Sequence, residues 1–202
     1  VIGELIKNKI KFKTINTCIT FLYNLHGKQL ITIENLDKNN IHPVQKSMIK
    51  NDGSQCGFCT PGIIMSMYGM YKNKIKPTNH NIEKGLAGNL CRCTGYKAIK
   101  KAALNMYEGE KINDNDNDKK NAIILKKISK KDIKIKVENN NFYIHHNLKD
   151  LLKDIKKVKK PIFVTGGTDI ALEVTKKNND LNSIFYLGVN KDLNFIKLKR
   201  NN

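Results

Sequence analysis

Arginine is nearly absent from this sequence, although the chain is strongly basic. Its 202 residues carry 37 Lys and Arg against 18 Asp and Glu, a formal net charge of +19, yet the only arginines are Arg92 and Arg200. A dedicated nucleic-acid-binding surface usually contains several arginines, because the guanidinium group bonds phosphates and guanine edges through two N–H groups at once. We therefore interpret the lysines, which alternate with Asn and Ile throughout, as solvated faces and expect no nucleic-acid partner.

Three further features are missing. No apolar run approaches the roughly 20 residues needed to span a bilayer, nothing resembles an export signal, and no Ser–His–Asp or paired-carboxylate constellation is found. We therefore expect a cytoplasmic protein with no membrane partner and no catalytic residues of its own. A hydrophobic content of 40% still favours folded domains, and the length suffices for two small ones.

The cysteines, in contrast, are concentrated in one stretch. Four of the five form two close pairs with 31 residues between them: Cys56 with Cys59, and Cys91 with Cys93. A short spacing lets one loop present two thiolates to a single metal centre. Helix-start signals follow each pair, with Thr60 the expected N-cap before Pro61, and Thr94-Gly95 in the similar position. The positive ends of both helices would suit a negatively charged centre.

The sequences around the two pairs, QCGFCTPG and GNLCRCTGY, closely resemble the helical [2Fe–2S] domain of the xanthine dehydrogenase and aldehyde oxidase family. The resemblance implies that Cys56, Cys59, Cys91 and Cys93 hold one [2Fe–2S] cluster. It also implies that Gln55 lies at the interface with a partner subunit, near that subunit's pterin. One alternative is a four-cysteine zinc site in a basic nucleic-acid-binding module, although zinc loops usually keep two or more residues inside each pair.

Residues 1–36 are predicted to be β-rich, with strands at 1–5, 9–13 and 30–33. They resemble the C-terminal part of the plant-type ferredoxin domain, a β-grasp fold, of the same family, in which Cys18 matches the fourth cluster ligand. The three upstream cysteines are missing and the chain begins at Val1. We therefore expect an incomplete ferredoxin domain, in which Cys18 is a buried free thiol.

Residues 41–107 are predicted to form the helical cluster domain, with helices that begin at His42-Pro43, Pro61, Thr78 and Tyr96. Apolar residues recur at helical spacing in all of them, which indicates a four-helix core. The following segment, 108–121, has few apolar residues and no periodicity, so we interpret it as a linker.

Residues 122–202 are predicted to begin an α/β domain, with a strand at 141–145 and a helix capped by Asn147. A short buried strand at 161–165 runs into Gly166-Gly167, and a helix follows. This order is typical of an anion-binding turn, because glycines let a phosphate approach the backbone and free helix N–H groups bind it. A glycine pair alone is more typical of an ordinary βα turn. His145 and His146 are expected at the surface or at a sheet edge.

The segment VTGGTDIALEVTKK resembles the first lobe of the flavin domain of the same family. The resemblance implies that the FAD pyrophosphate is bound by Phe163, Val164, Thr165, Gly166, Gly167, Thr168, Asp169 and Ile170. It places the remaining flavin-binding segments beyond Asn202, so we expect this domain to be incomplete too.

The predicted fold class is therefore α+β and multidomain: the tail of a β-grasp ferredoxin domain, a four-helix [2Fe–2S] domain and the start of an α/β FAD-binding domain. The resemblance implies an electron-transfer subunit of a molybdenum hydroxylase, most closely of the xanthine dehydrogenase type. A large partner subunit would carry the molybdenum–pterin cofactor, and electrons would pass through [2Fe–2S] clusters to FAD and then to NAD. Related enzymes acting on aldehydes, nicotinate or carbon monoxide remain alternatives, because the substrate pocket would lie on the partner.

Overall fold

The computed structural model describes residues 1–37, 41–109 and 115–198, and the chain divides into two compact units. The first unit comprises Val1–Ile15 and Lys28–Leu125, and the second comprises Asn16–Gly27 and Lys126–Asn202. These units group the N-terminal segment differently from the predicted domains at 1–36, 41–107 and 122–202, whose bounds stay a prediction. No helix among the described residues combines the length and apolar character needed to cross a membrane.

The first unit begins with a small antiparallel sheet. Strand β1 (Ile2–Ile6) pairs on one side with β2 (Lys9–Lys13) and on the other with β3 (Gln29–Leu30), giving the order β2-β1-β3. The prediction of β2 is confirmed, because its alternating lysines and apolar residues fit a half-buried strand. The strand expected at 30–33 is wrong beyond Leu30, since the chain turns into a short 3-10 helix at Ile33–Asp37.

The four predicted helices of the cluster domain are confirmed: α1 (Pro43–Lys50), α2 (Thr60–Lys72), α3 (Asn79–Leu86) and α4 (Lys97–Asn105). Each helix turns its apolar face towards one shared core, as amphipathic spacing requires. The large, fully buried side chains of this core are Val44, Ile63, Met67, Ile82, Ile99 and Met106. Helix α2 begins directly after Cys59, and α4 begins four residues after Cys93.

The helix starts agree with the prediction for α1 but differ from it after both cysteine pairs, since the N-cap of α4 is Tyr96 and not Thr94-Gly95. Helix α1 has the expected entry at His42, whose Nδ1 accepts a hydrogen bond from the backbone of Val44, while the Gln45 side chain accepts one from the backbone of His42. Thr60, however, is the first residue of α2 and not its N-cap. Cys59 takes the N-cap position, with φ −83° and ψ −13°, because the loop already turns helically at the second cysteine of the pair.

The predicted linker at 108–121 has more structure than its composition indicates. Residues 115–121 form the first turns of helix α5 (Asn115–Ile128), whereas 110–114 lie outside the described residues. The helix is held in the first unit by an ion pair of 2.9 Å between Lys72 Nζ and Asp118 and by the buried side chain of Leu125. These tertiary contacts explain why a segment without a clear apolar pattern becomes helical.

The second unit contains a four-stranded mixed sheet with the order β4-β5-β7-β6. It is formed by β4 (Ile133–Val137), β5 (Asn140–Ile144), β6 (Ile162–Val164) and β7 (Ser183–Tyr186), with α6 (Leu148–Ile155) and α7 (Thr168–Thr175) between the later strands. Strands β5, β7 and β6 are parallel, and β4 is antiparallel to β5. The strands expected at 141–145 and 161–165 and the helix after Asn147 are confirmed.

The predicted position of His145 at the surface or at a sheet edge is wrong. His145 is 1% exposed and not at the surface. Its Nδ1 lies 3.2 Å from a carboxylate oxygen of Asp132, and its Nε2 lies 3.1 Å from one of Asp154. A histidine can be buried in this way because a carboxylate oxygen lies close to each of its ring nitrogens. His146 also contacts Asp132, at 2.9 Å.

Candidate metal centre

The candidate metal centre lies in two loops of the first unit that precede α2 and α4. The loops bring the four cysteines together in two crossed contacts: the Cys56 thiol lies within hydrogen-bonding reach of Cys93, and the Cys59 thiol within reach of Cys91. Each contact therefore joins one cysteine from each loop. Because the two cysteines of each motif are close in sequence, each loop places two sulfurs side by side, facing the other loop.

Left-handed backbone turns shape both loops. Gly57 has φ +83° between the first two cysteines, and Gly95 has φ +62° after the second pair. Glycine adopts this conformation without the steric conflict of a Cβ atom. The next residue, Tyr96, is also left-handed at φ +65° and forms the N-cap of α4. These two successive left-handed residues turn the chain sharply, and the Tyr96 N–H donates to the Thr94 hydroxyl oxygen at 3.2 Å.

Cys91 is the most buried of the four cysteines, at 7% exposure. The Thr94 hydroxyl lies 3.1 Å from its sulfur. This hydroxyl, together with the N–H groups of Thr94 and Cys93, lowers the pKa of Cys91 to about 7, because each donor stabilises the thiolate. The backbone N–H of Cys91 itself donates to the Tyr96 hydroxyl at 2.8 Å.

The pKa values of the other three thiols are shifted in different directions by their contacts. The Phe58 N–H and then the contact with Cys93 lower the pKa of Cys56. Burial and then the contact with Cys91 raise the pKa of Cys59, and the contact with Cys56 raises the pKa of Cys93. In each contact one thiol therefore releases its proton more readily than the other, as expected of two coupled groups.

The donor set fits a [2Fe–2S] cluster. Such a cluster takes four cysteine thiolates, and the two contacts place two sulfurs at each of two positions. Backbone N–H groups directed at the sulfurs are the hydrogen bonds expected around a cluster of negative charge. Within the residues that the structure describes, no three His, Cys, Asp or Glu side chains converge as a single metal ion would require.

The surface next to the cysteines carries two apolar side chains that sequence reasoning did not single out. Phe58 is 95% exposed and Leu90 is 84% exposed, one on each cysteine loop. Large apolar residues inside otherwise small and polar loops were the available signal, since they have no neighbour to pack against within their own motif. The predicted interface residue, Gln55, is also exposed in the first of these loops.

Cys18 is the fifth cysteine of the chain. It belongs to the second unit, whereas the four paired cysteines belong to the first. The prediction of a buried thiol is wrong, because Cys18 is exposed at a 3-10 helix (Thr17–Ile19) whose start is capped by Asn16.

The predicted flavin loop lies at the end of β6 in the second unit. Gly167 has φ +85° and is the N-cap of α7. A Cβ atom at Gly167 would lie 3.3 Å from Phe21 and Val164, whereas one at Gly166 would meet nothing within 4 Å. The side-chain amide of Asn24 donates to the Gly166 carbonyl at 3.2 Å. Val164 is buried and Ile170 half-buried; the exposed members of the predicted set are Phe163, Thr165, Gly166, Thr168 and Asp169.

Comparison with known families agrees with this geometry. Residues 32–104 match the model of the [2Fe-2S] binding domain family. Xanthine dehydrogenase/oxidase of Mus musculus is 48% identical over 95 residues, covering 46% of this chain and 7% of the relative. Xanthine dehydrogenase 1 of Arabidopsis thaliana is 52% identical over 88 residues, covering 42% of this chain and 6% of the relative. The predicted resemblance is thus confirmed over this domain, and the chain spans less than a tenth of the length of these oxidoreductases.

Two solved structures are also similar in part. The aldehyde oxidoreductase from Desulfovibrio gigas shares 31% identity over 52% of this chain and 11% of its own, with a TM-score of 0.44. The quinoline 2-oxidoreductase from Pseudomonas putida shares 25% identity over 62% of this chain and 67% of its own, with a TM-score of 0.41.

Proposed function

We propose that this chain is an electron carrier in which Cys56, Cys59, Cys91 and Cys93 hold one [2Fe–2S] cluster. The observation that carries this proposal is the pair of crossed contacts, Cys56 with Cys93 and Cys59 with Cys91. When bound, the cluster supplies a site that accepts and returns one electron. The chain's own residues direct amide and hydroxyl donors at the sulfurs and bury Cys91.

The chain serves, on this proposal, in a molybdenum hydroxylase of the xanthine dehydrogenase type. A large partner subunit carries the molybdenum–pterin cofactor and the substrate pocket. Gln55, Phe58 and Leu90 face that partner, which is supported by their exposure beside the cysteine loops. Apolar side chains exposed to this degree are typical of an interaction surface. A parent enzyme that acts on an aldehyde, nicotinate or carbon monoxide is the alternative within the same class.

Electrons leave the cluster, on the same proposal, for FAD and then for NAD. The second unit contributes the loop from Phe163 to Ile170 to the FAD site of the parent enzyme. The left-handed N-cap at Gly167 supports this assignment, because it opens helix α7 with its N–H groups unobstructed by a side chain. Cys18 would belong to the ferredoxin-type cluster of the parent and does not contribute to the cluster of this chain.

Iron and acid-labile sulfide analysis of the chain, purified without oxygen, tests the proposal. About two irons and two sulfides per chain are expected, with the brown colour of a ferric–sulfide cluster. The competing function, a zinc-containing nucleic-acid module, predicts a colourless protein with one zinc and no sulfide. That second result would contradict the proposal.

A further inference from the structure

The two cysteine loops contain the same residue type at the same position but use it differently. Thr60 follows Cys59 and Thr94 follows Cys93, each immediately after a cysteine pair. The Thr94 hydroxyl lies 3.1 Å from the sulfur of Cys91. The Thr60 hydroxyl instead lies 2.7 Å from the Ser54 hydroxyl. The two similar motifs therefore differ in the partner of the threonine hydroxyl, which is a cysteine sulfur for Thr94 and a serine hydroxyl for Thr60.

The direction of the Thr94 contact follows from the chemistry of its neighbours. A cysteine bound to iron is a thiolate and has no proton to donate. The Thr94 oxygen meanwhile accepts a hydrogen bond from the Tyr96 N–H at 3.2 Å. A hydroxyl has one hydrogen and two lone pairs, so its proton is still available for Cys91. In the loaded protein Thr94 therefore donates to the sulfur.

We propose that Thr94 is a positioning residue for Cys91 that raises the reduction potential of the cluster. The proposal rests on the proposed cluster ligation. Reduction adds one electron, and hence negative charge, to the iron–sulfur unit. A donor directed at a ligand sulfur stabilises that added charge, and hydrogen bonds to the sulfurs are among the factors that set the potential.

The burial of Cys91 strengthens the influence of this hydrogen bond on the reduction potential. Cys91 is 7% exposed, whereas Cys56 and Cys93 are exposed. A hydrogen bond in a low-dielectric environment is electrostatically stronger than the same bond in water. The sulfur that receives the threonine hydroxyl therefore belongs to the least exposed of the four cysteines.

The matched control is provided by the other loop. Thr94→Val replaces the hydroxyl by a methyl group of similar size and removes the donor to Cys91. Thr60→Val makes the same chemical change at the equivalent position, where the hydroxyl contacts Ser54. Thr94→Ser keeps the hydroxyl donor, so its cluster should have the same reduction potential as that of the unaltered chain.

The full chain and its variants are loaded with iron and sulfide, and the iron and sulfide content of each protein is measured first. Potentials are then obtained by stepwise reduction with dithionite under argon, with the reduced cluster followed by EPR. We expect all variants to contain iron and sulfide, Thr94→Val to shift to a more negative potential, and Thr60→Val and Thr94→Ser to stay close to the unaltered chain.

Equal potentials for Thr94→Val and Thr60→Val would overturn the proposal. If the valine variant does not load, Thr94→Ala, which only removes atoms, is compared with Thr94→Ser in the same way. Loss of iron from both the valine and alanine variants, with Thr94→Ser loaded, would show a purely structural role and would also overturn it. Failure of the unaltered chain to bind iron and sulfide would instead contradict the proposed function itself.

Discussion

The hydroxyl oxygen of Tyr96 accepts a hydrogen bond of 2.8 Å from the backbone N–H of Cys91. The bond closes the second cysteine loop on itself, because the two residues stand at its opposite ends. It also accounts for the unusual backbone of Tyr96, whose φ of +65° costs a residue with a side chain about 1–2 kcal/mol. The strained residue, Tyr96, is thus the one whose hydroxyl holds the second cysteine loop closed.

Tyr96→Phe is expected to loosen this loop without disturbing the helical core. The Cys91 N–H then loses its partner, and leaving such a group unsatisfied costs about 1–3 kcal/mol. We expect faster loss of iron to a chelator and a lower unfolding temperature. Tyr143→Phe, in the second unit, is the control. Equal iron loss from the two variants would show that the Tyr96 hydroxyl does not support the cluster.

The ligand assignment predicts a sharp difference between two cysteines of the same chain. Cys91→Ser should abolish most of the bound iron, because a serine hydroxyl is a poor substitute for a thiolate at this centre. Cys18→Ser should leave the iron content unchanged, since Cys18 lies in the other unit. Iron and sulfide per chain are the measurement, and a large loss from the Cys18 variant would exclude the four-ligand assignment.

The four helices could be predicted because their signals are local. His42-Pro43 marks the start of α1 and Gly88 follows the end of α3, and the apolar spacing between such signals is sufficient to define each helix. The cysteine contacts were predictable for a similar reason, since both motifs are short and specific. The crossed pattern of those contacts was not, because it depends on how two distant loops face each other.

The remaining features arise from tertiary structure. Burial of His145 depends on Asp132 and Asp154, which the fold brings to opposite sides of the ring and which no sequence spacing indicates. Strands β4 and β7 were not assigned. Strand β4 has the same alternation of lysine and apolar residues as β2, so a local signal was present there, whereas β7 is only four residues long. Both form because a neighbouring strand pairs with them.

The stability of the second unit is expected to depend on pH through Asp154. Its side chain is 5% exposed and contacts Lys134 at 2.5 Å and Lys157 at 2.7 Å. These two ammonium groups hold the pKa of Asp154 well below its usual range. A lowered pKa means that the ionised carboxylate stabilises the folded state. This contribution is complete above the unfolded-state pKa of about 4 and is lost as the pH falls below it.

Asp154→Asn should remove that dependence and lower stability at neutral pH. We expect a loss of about 3 kcal/mol in the free energy of unfolding at pH 7, at the low end for a broken buried pair because both lysines are exposed. The difference from the unaltered chain should shrink towards pH 3. Thermal unfolding followed by circular dichroism is the measurement, with Asp180→Asn as control. A difference that stays constant with pH would exclude this role.

This chain is expected to bind FAD weakly or not at all. The glycine turn offers backbone donors to a pyrophosphate, but a dinucleotide is held by a pocket that buries most of its surface. The family resemblance assigns the other flavin-contacting segments to sequence beyond Asn202. Titration of the purified chain with FAD, followed by flavin fluorescence, is the measurement. Tight binding of one FAD per chain would show that the flavin site is located elsewhere.

The two adjacent glycines of that turn should differ in their tolerance of a side chain. Gly167→Ala places a Cβ on a backbone with φ +85°, 3.3 Å from Phe21 and Val164. The left-handed conformation alone costs alanine about 1–2 kcal/mol, so we expect a fall of several degrees in the unfolding temperature of the second unit. Gly166→Ala meets nothing within 4 Å and is expected to change stability by less than about 0.5 kcal/mol. Equal destabilisation by the two variants would contradict the proposed geometry of the turn. If the difference is found, Gly166→Ala becomes the variant of choice for testing the phosphate site in a longer chain that binds FAD, because it adds a side chain to the turn while the fold stays intact.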